Sequence, residues 1–406
     1  MRYTQHLRTE VHDRLAGLAS EMRAWQEQPS LSGEEKERLG SAIQLFSHTT
    51  RTDDLCFAGV DGSGDYPCLT YADSFIYVTV AQGATYQVAP ASGLREQLSV
   101  PAPAPEFTWL PNDPKRCREE WYKALERLAG RPLPSIIEGS DYRTLKAAAS
   151  GRNTQVDQLY ADLLCPQASD SGNIAIQLRT TAELGLAYSI VDSDTSVRYV
   201  LVDTTFSLPF VTRRDVSLFY EHLKRLCCVR AHQRGIGFFA VSKSHGLPAI
   251  ELLEDLAREK AGRPHGAQAE HWYLRIPTAG DDGWVMTQLH ERQVPPIGAV
   301  SYLVRFHRNV PVLRLDMDRR FWDEHVRSDD DDITQQREAA IFEHLDYASH
   351  DQRSFGYPYP LKSGHDRASL TQAERAAFRQ QVIDAAVAAG MRRSLFRDAS
   401  VATGHR

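Results

Sequence analysis

Two short runs of strand-forming residues, Tyr199–Val202 and Gly237–Val241, enclose a helical stretch at 216–226, and this alternation restricts the fold more than any other feature. A strand, a crossover helix and a second strand of these lengths make a βαβ unit with parallel strands, because parallel neighbours cannot be joined by a tight turn. The chain is therefore expected to be an α/β protein. A further apolar run, Leu55–Val60, has the length of a buried strand and ends in Asp61-Gly62-Ser63-Gly64, read as a sharp turn. Strands are expected at Cys68–Tyr71, Ser74–Val80 and Thr85–Val88 in an antiparallel meander, and residues 299–306 and 310–315 alternate as a hairpin would.

Helices flank these strands. Leu7, Val11, Leu15 and Leu18 repeat at helical steps, as do Leu39, Ile43 and Leu45 less regularly, so residues 1–47 read as helices broken near Pro29-Ser30. Pro101, Pro103 and Pro105 make a stiff connector. Beyond it, residues 112–165 are polar and helical, with Trp121, Leu125 and Leu128 at helical spacing and a charged face at Lys115, Arg116, Arg118, Glu119 and Glu120. Residues 173–192 form another helix, with Ile176, Leu184, Leu186 and Ile190 as its apolar positions. The acidic run Asp329–Asp332 lacks the spacing of an EF-hand and reads as a solvated loop.

Composition excludes several classes. Hydrophobic residues at 42% and charged residues at 25% are the balance of a water-soluble globular protein. No apolar stretch approaches the ~20 residues that cross a bilayer, and the N-terminus lacks a signal-peptide core, so a cytoplasmic protein is expected. The six cysteines form no CxxC pair, and no Cys/His spacing resembles a zinc site. Cys227 and Cys228, following the helix 218–226, read as buried free thiols. A formal charge of −6 argues against strong unaided binding to duplex phosphates.

The chemistry is expected where strands end. Asp61 and Asp203 each follow a run of apolar β-formers, Phe57–Val60 and Tyr199–Val202. A carboxylate there points into the crevice where α/β sheets bind ligands. Two such groups on neighbouring strands repel unless a proton or a cation lies between them. Taken singly, either Asp is better explained as the cap of the turn that follows, and only the pair argues otherwise. Glu183, on the preceding helix, lies beside apolar residues and can bring a third carboxylate, or can be an ordinary surface residue. Hard oxygen donors favour magnesium or manganese over zinc. Near the C-terminus, Phe355-Gly356-Tyr357-Pro358-Tyr359-Pro360 leads to His365 before a helix at 370–389, holding Tyr357 and His365 in fixed places. His365 then suits a metal ligand, a phosphate contact or a proton donor, or is only a cap.

These segments resemble the NurA nucleases, whose core is RNase H-like and related to the Argonaute PIWI domain. The resemblance runs from about Phe57 to about Arg379. Val60-Asp61-Gly62-Ser63 is similar to the first catalytic motif, Arg179–Leu184 to the helix carrying the catalytic Glu, and Val202–Leu208 to the strand end with the second Asp. Val241-Ser242-Lys243-Ser244 is similar to the strand with the family's Lys, and Gly356–His365 to its closing Tyr and His motif. Thr204-Thr205 stands where Gly-Ser is usual, and Gly364 where Ala is.

The resemblance implies an RNase H-like mixed sheet flanked by helices. It divides the chain into an N-terminal helical arm (1–50), a nuclease core (51–100 and 166–390), a helical insertion (101–165) and a tail (391–406). It implies a Mn2+- or Mg2+-dependent deoxyribonuclease with Asp61, Glu183, Asp203 and His365 at the metal, His365 alternatively acting as the general acid. Tyr357 and Lys243 would contact the scissile phosphate, although Lys243 fits a structural salt bridge equally well. The implied partners are DNA single strands and duplex ends, a second copy of the chain, and a HerA-type hexameric ATPase, in end processing or anti-phage defence. Two rival readings need different chemistry. Glycoside hydrolysis also uses paired carboxylates, but the six Trp residues are scattered and none adjoins a candidate carboxylate in sequence. A catalytically silent scaffold binding the ATPase and DNA needs no working metal site.

Overall fold

The computed structural model of the chain describes residues 8–25, 32–48, 54–64, 67–89, 93–97, 104–145, 163, 165, 171–193, 196–206, 218–245, 250–265, 267–276 and 298–398. Its elements are α1 (Thr9–Trp25), α2 (Gly33–Ala42), β1 (Ile43–Leu45), β2 (Cys56–Ser63), β3 (Leu69–Tyr71), β4 (Ser74–Ala89), β5 (Gly93–Glu96) and β6 (Glu106–Leu110). There follow α3 (Pro114–Ala129), α4 (Leu133–Gly139), α5 (Ser171–Ser193), β7 (Tyr199–Val202), α6 (Phe219–Gln233), β8 (Gly237–Ser242), α7 (Ile250–Lys260) and β9 (Trp272–Arg275). The chain continues with β10 (Ala299–Arg305), β11 (Leu313–Asp318), α8 (Arg319–His325), α9 (Asp331–Ser349), α10 (Tyr359–Ala368), α11 (Gln372–Ala388) and β12 (Phe396–Arg397). The connector prolines 101 and 103 lie outside the described residues.

One twelve-stranded mixed sheet organises these elements, in the order β1-β9-β10-β11-β8-β7-β2-β4-β3-β12, with β5 and β6 also on β4. The expected βαβ unit is present: β7 and β8 are parallel, with Val202 opposite Ala240, and α6 crosses between them. β2 is parallel to β7 on one side and antiparallel to β4 on the other. An antiparallel β2–β4 pair continued by two parallel strands, β7 and β8, is the RNase H-like arrangement.

β2, β7 and β8 are buried along their whole length, as strands covered on both faces must be. One face packs Val60, Val200, Val202 and Phe238 against α5, α6 and α3, including Trp121 and Leu125. The other packs Phe57, Tyr199, Leu201 and Phe239 against α9 and α10, through Phe342, Leu345 and Leu361. α5 is accordingly buried around most of its circumference, and Gly185 lets it approach α3 so closely that an added Cβ would lie 2.3 Å from the Leu128 carbonyl oxygen.

Several expectations need correction. The two strands expected at Ser74–Val80 and Thr85–Val88 are one sixteen-residue strand, because Gln82-Gly83 stays extended opposite Val60 and Asp61 of β2. The turn expected at Asp61–Gly64 begins later, since β2 runs to Ser63, which pairs with Val80. Ile43 and Leu45 lie on a strand that pairs with β9, and their irregular spacing is now explained. Ile176 is exposed, and the helix bearing Cys227 and Cys228 runs on to Gln233 with both thiols buried and free. The acidic run starts α9: the Asp330 side chain caps it by accepting from the Asp332 N–H, and Asp331 and Asp332 occupy the first turn, where the helix dipole favours negative charge. The charged face of α3 is solvated as expected, with Cys117 and Trp121 buried opposite. Among the described residues no helix is long and apolar enough to cross a membrane.

α10 lies directly across β2. At Gly59 an added Cβ would stand 2.2 Å from the Leu361 nitrogen and the Pro360 carbonyl carbon, so only glycine admits this crossing. Gly59→Ala is expected to cost about 1–3 kcal/mol, as overpacking does. Gly17→Ala, with open space around it in exposed α1, is expected to be neutral or mildly stabilising. Denaturant unfolding of the two variants checks this contrast.

Candidate metal centre

The parallel pairing of β2 with β7 ends at Val60 opposite Val202. The next residues are Asp61 and Asp203, so both carboxylates leave neighbouring strands at the same level. Asp61 is buried and accepts the Gly62 N–H at 2.7 Å. That bond is what a turn-capping Asp would make, yet the residue sits within a continuous strand whose other carboxyl oxygen faces α10. There His365 Nδ1 lies 2.8 Å from Asp61 Oδ2.

His365 is not in a loop before a helix, as its sequence context suggested, but in the second turn of α10. Pro358 and Pro360 start that helix, and Gly364 lets it settle on the sheet: an added Cβ would meet the Asp61 nitrogen and the Gly59 oxygen at 3.3 Å. The Gly364 departure from the usual Ala therefore falls within the close contact of helix and sheet. A helix seated this way holds His365 over Asp61 with its Nε2 toward Ser369 and solvent.

Glu183 arrives from the other face. It is buried on α5, and an added Cβ at Gly62 would stand 2.9 Å from its Oε1, which puts the glutamate against the strand beside Asp61. Arg179, one helical turn earlier, places its Nε 3.4 Å from Glu183 Oε1. Sequence reading singled out Glu183 but not Arg179 as a site residue, although their i,i+4 spacing was the available signal.

Asp203 is exposed at the mouth of the crevice. Its carboxyl pKa is nevertheless raised, first by desolvation from the surrounding walls and then by the Asp61 charge, against the opposing pull of Lys243, Arg179 and His365. The backbone that follows is firmly held: the Phe206 N–H donates to buried Asp316 at 2.7 Å, and the buried Lys224 ammonium donates to the Thr205 carbonyl at 2.7 Å. These anchors come from β11 and α6, so the Thr204-Thr205 turn is fixed without glycine.

Tyr357 is buried, and its hydroxyl points at Asp203 Oδ2 across 3.5 Å, the outer limit of a hydrogen bond. Burial, and then the Asp203 and Asp61 charges, push its pKa well above the ordinary phenol value, so the hydroxyl keeps its proton and can donate. Lys243, just past β8, sits with its ammonium 4.0 Å over the Tyr357 ring, a cation–π contact that leaves the charge accessible. Five of the residues anticipated from the sequence, Asp61, Asp203, His365, Tyr357 and Lys243, are thus linked around one crevice, and Glu183 stands behind it against Gly62.

The donors that meet in the crevice, the Asp61 and Asp203 carboxylates and the His365 imidazole, fit a magnesium- or manganese-class ion, with Glu183 against Gly62 as a further carboxylate within one strand residue of Asp61. The strained Asp203 ionisation fits it too, since a cation relieves like-charge repulsion. A cavity of about 480 Å³ lies elsewhere, beside Tyr273, Arg275, Arg319 and Trp322, with none of the six residues on its wall. Trp121 and Trp272 are buried core residues, unavailable for stacking on a sugar.

Fold and site define an RNase H-like α/β protein with a carboxylate-lined crevice at the ends of its central parallel strands. Solved structures that it resembles include NurA nucleases. The one from Sulfolobus solfataricus matches with 12% identity over 95% of this chain and 99% of that chain, at a TM-score of 0.47. A NurA bound to dAMP and manganese matches with 13% identity over 96% and 99%, at a TM-score of 0.40. The likeness concerns the course of the chain alone. No protein-family model and no curated protein matches the sequence.

The Asp203 environment has a measurable consequence. Its folded pKa lies above the unfolded one, so its contribution favours folding below the unfolded pKa and is lost as pH rises through the folded value. Asp203→Asn should therefore stabilise the metal-free protein at neutral pH, and the gain should vanish as pH falls toward the ordinary Asp range. Chemical unfolding of both proteins between mildly acidic and neutral pH reads this directly.

Proposed function

We propose that this protein is a metal-dependent deoxyribonuclease that hydrolyses phosphodiesters at the crevice between β2, β7 and α10. The observation that carries the reading is the shared level of Asp61 and Asp203 on adjacent parallel strands, with His365 on one and Tyr357 directed at the other. Asp61, Asp203 and Glu183 would hold Mn2+ or Mg2+, with His365 beside them. When bound, such ions supply an activated water and stabilise the leaving oxygen.

The remaining roles belong to the chain's own groups. Asp61 orients the His365 ring through Nδ1, leaving Nε2 to ligate or to deliver a proton to the leaving oxygen. Tyr357, held protonated, donates to a phosphate oxygen. Lys243 and Arg179 bring positive charge to the same place and offset the phosphate's. With a net charge of −6, the chain is suited to taking DNA from a partner rather than gripping duplexes alone. A homodimer fed by a HerA-type hexameric ATPase, acting on single strands and duplex ends in repair or phage defence, is the assembly we propose.

A silent scaffold is the second reading, and one observation favours it. Among the described residues, the group of His, Cys, Asp or Glu side chains whose ligand atoms all lie within 4.8 Å of one another is not in this crevice. The salt bridge from Arg179 also occupies Glu183. The two readings separate on manganese: thermal stabilisation by the ion, lost in Asp203→Ala, marks a working site, and its absence in the unaltered protein marks the scaffold.

Cleavage of end-labelled linear DNA with manganese is expected, abolished by EDTA. Asp61→Asn should lower it by at least about 100-fold, the upper range for loss of even an outer-shell metal partner. Unchanged cutting by folded Asp61→Asn protein overturns the assignment. Tyr357→Phe should slow cutting while leaving stabilisation by manganese intact, because on this reading the phenol serves the phosphate rather than the metal.

A further inference from the structure

The sequence offers no zinc-like spacing, yet four distant residues converge away from the crevice. His48 follows β1, His271 immediately precedes β9, and Asp346 and His350 lie one turn apart at the end of α9. One ligand atom from each lies within 4.8 Å of the others. Only the Asp346/His350 pair was visible as a local spacing; the rest depends on β1 pairing with β9 beside α9.

Asp346 is fully buried and stands at the centre. Its Oδ2 is 2.7 Å from His48 Nδ1, and its Oδ1 is 3.0 Å from His350 Nδ1 and 3.4 Å from His271 Nε2. Ligands on a tetrahedral ion with bonds of ~2.0–2.1 Å stand ~3.3 Å apart, so these separations already suit one. The polar atoms are also under-used. Asp346 Oδ1 and His271 Nε2 are buried without a well-directed hydrogen bond, an arrangement that costs free energy unless something else satisfies them. The three rings lie close, with centroids 4.2 Å apart for His48 and His350, 5.4 Å for His271 and His350, and 5.6 Å for His48 and His271. Three imidazolium rings this near would repel, whereas one cation at the point they share would take the place of the N–H contacts that His48 and His350 now make to Asp346 and would also engage His271.

We propose that His48, His271, Asp346 and His350 form a second metal site, distinct from the carboxylate crevice, that takes a tetrahedral zinc-class ion. Three imidazole nitrogens and one carboxylate oxygen favour zinc over the oxygen-seeking magnesium and calcium. Four protein ligands close the coordination shell, which marks a structural rather than a catalytic ion.

What such an ion would hold is defined by the neighbouring contacts. The Phe46 N–H donates to the His271 carbonyl at 2.9 Å, and the Phe46 ring stacks on Phe342 of α9. From His350 the chain passes directly to the segment bearing Tyr357, with the Gly356 N–H donating to the Ser349 carbonyl at 2.7 Å. The ion would clamp the β1 end of the sheet to α9, next to where the Tyr357 segment departs.

The test uses the full chain, stripped with EDTA and titrated with Zn2+, with Co2+ as the spectroscopic substitute. One zinc per chain should remain after dialysis, the melting temperature should rise with zinc, and Co2+ should show the intense visible bands of tetrahedral coordination. His48→Ala and His350→Ala should each weaken zinc binding at least about tenfold, since even outer-shell losses do so. Asp61→Asn and Asp203→Asn should keep it. His48 is exposed, so His48→Ala should fold even where an Asp346 variant does not. Undiminished zinc binding in His48→Ala and His350→Ala, or no retained zinc in the unaltered chain, overturns the proposal.

Discussion

Two like charges are held at the same level by the register of β2 against β7. Because Val60 faces Val202, Asp61 and Asp203 must emerge side by side, and every other feature of the crevice is arranged around that enforced proximity. The strands are buried on both faces, so a slip of one residue would turn each apolar set into the opposite layer, and the register cannot relax to separate the charges. Helices on both faces then contribute what the strands cannot: α10 brings His365 through the glycine contacts at 59 and 364, and α5 brings Glu183 into the space left by Gly62.

Holding such a site in place takes buried polar anchors away from it. Asp316 and Lys224 fix the backbone after Asp203 from two different elements, and Lys224 is itself paired with buried Glu221 at 3.0 Å. Arg225, also buried, joins Asp141 and Asp318 at 2.8 Å each and donates to the Gly298 carbonyl. Breaking such a pair on one side costs about 3–5 kcal/mol by leaving a buried charge alone. This network therefore ties α6 to the end of β11 and the start of β10.

Much of this was legible in the sequence, for identifiable reasons. Tyr199–Val202 and Gly237–Val241 are short, apolar and bounded, so their strands and their parallel pairing could be read directly. Asp61 and Asp203 stood out because each ended such a run. Other features depended on partners far along the chain. Gln82-Gly83 looks like a break and is extended because β2 pairs with it. Ile43–Leu45 looks helical and is a strand because β9 offers an edge. Arg179 is one of only three charged residues on α5, and its part in the site shows only through its contact with Glu183, whereas the His48, His271, Asp346 and His350 cluster was hidden because three elements far apart in the chain had to meet.

The central claim is that Asp61 and Asp203 together trap a divalent cation. Anomalous scattering from a crystal soaked in manganese tests it most directly. The account predicts manganese within coordination distance of both carboxylates. A well-ordered crystal with manganese at neither, or at one of them through a surface contact alone, would contradict it.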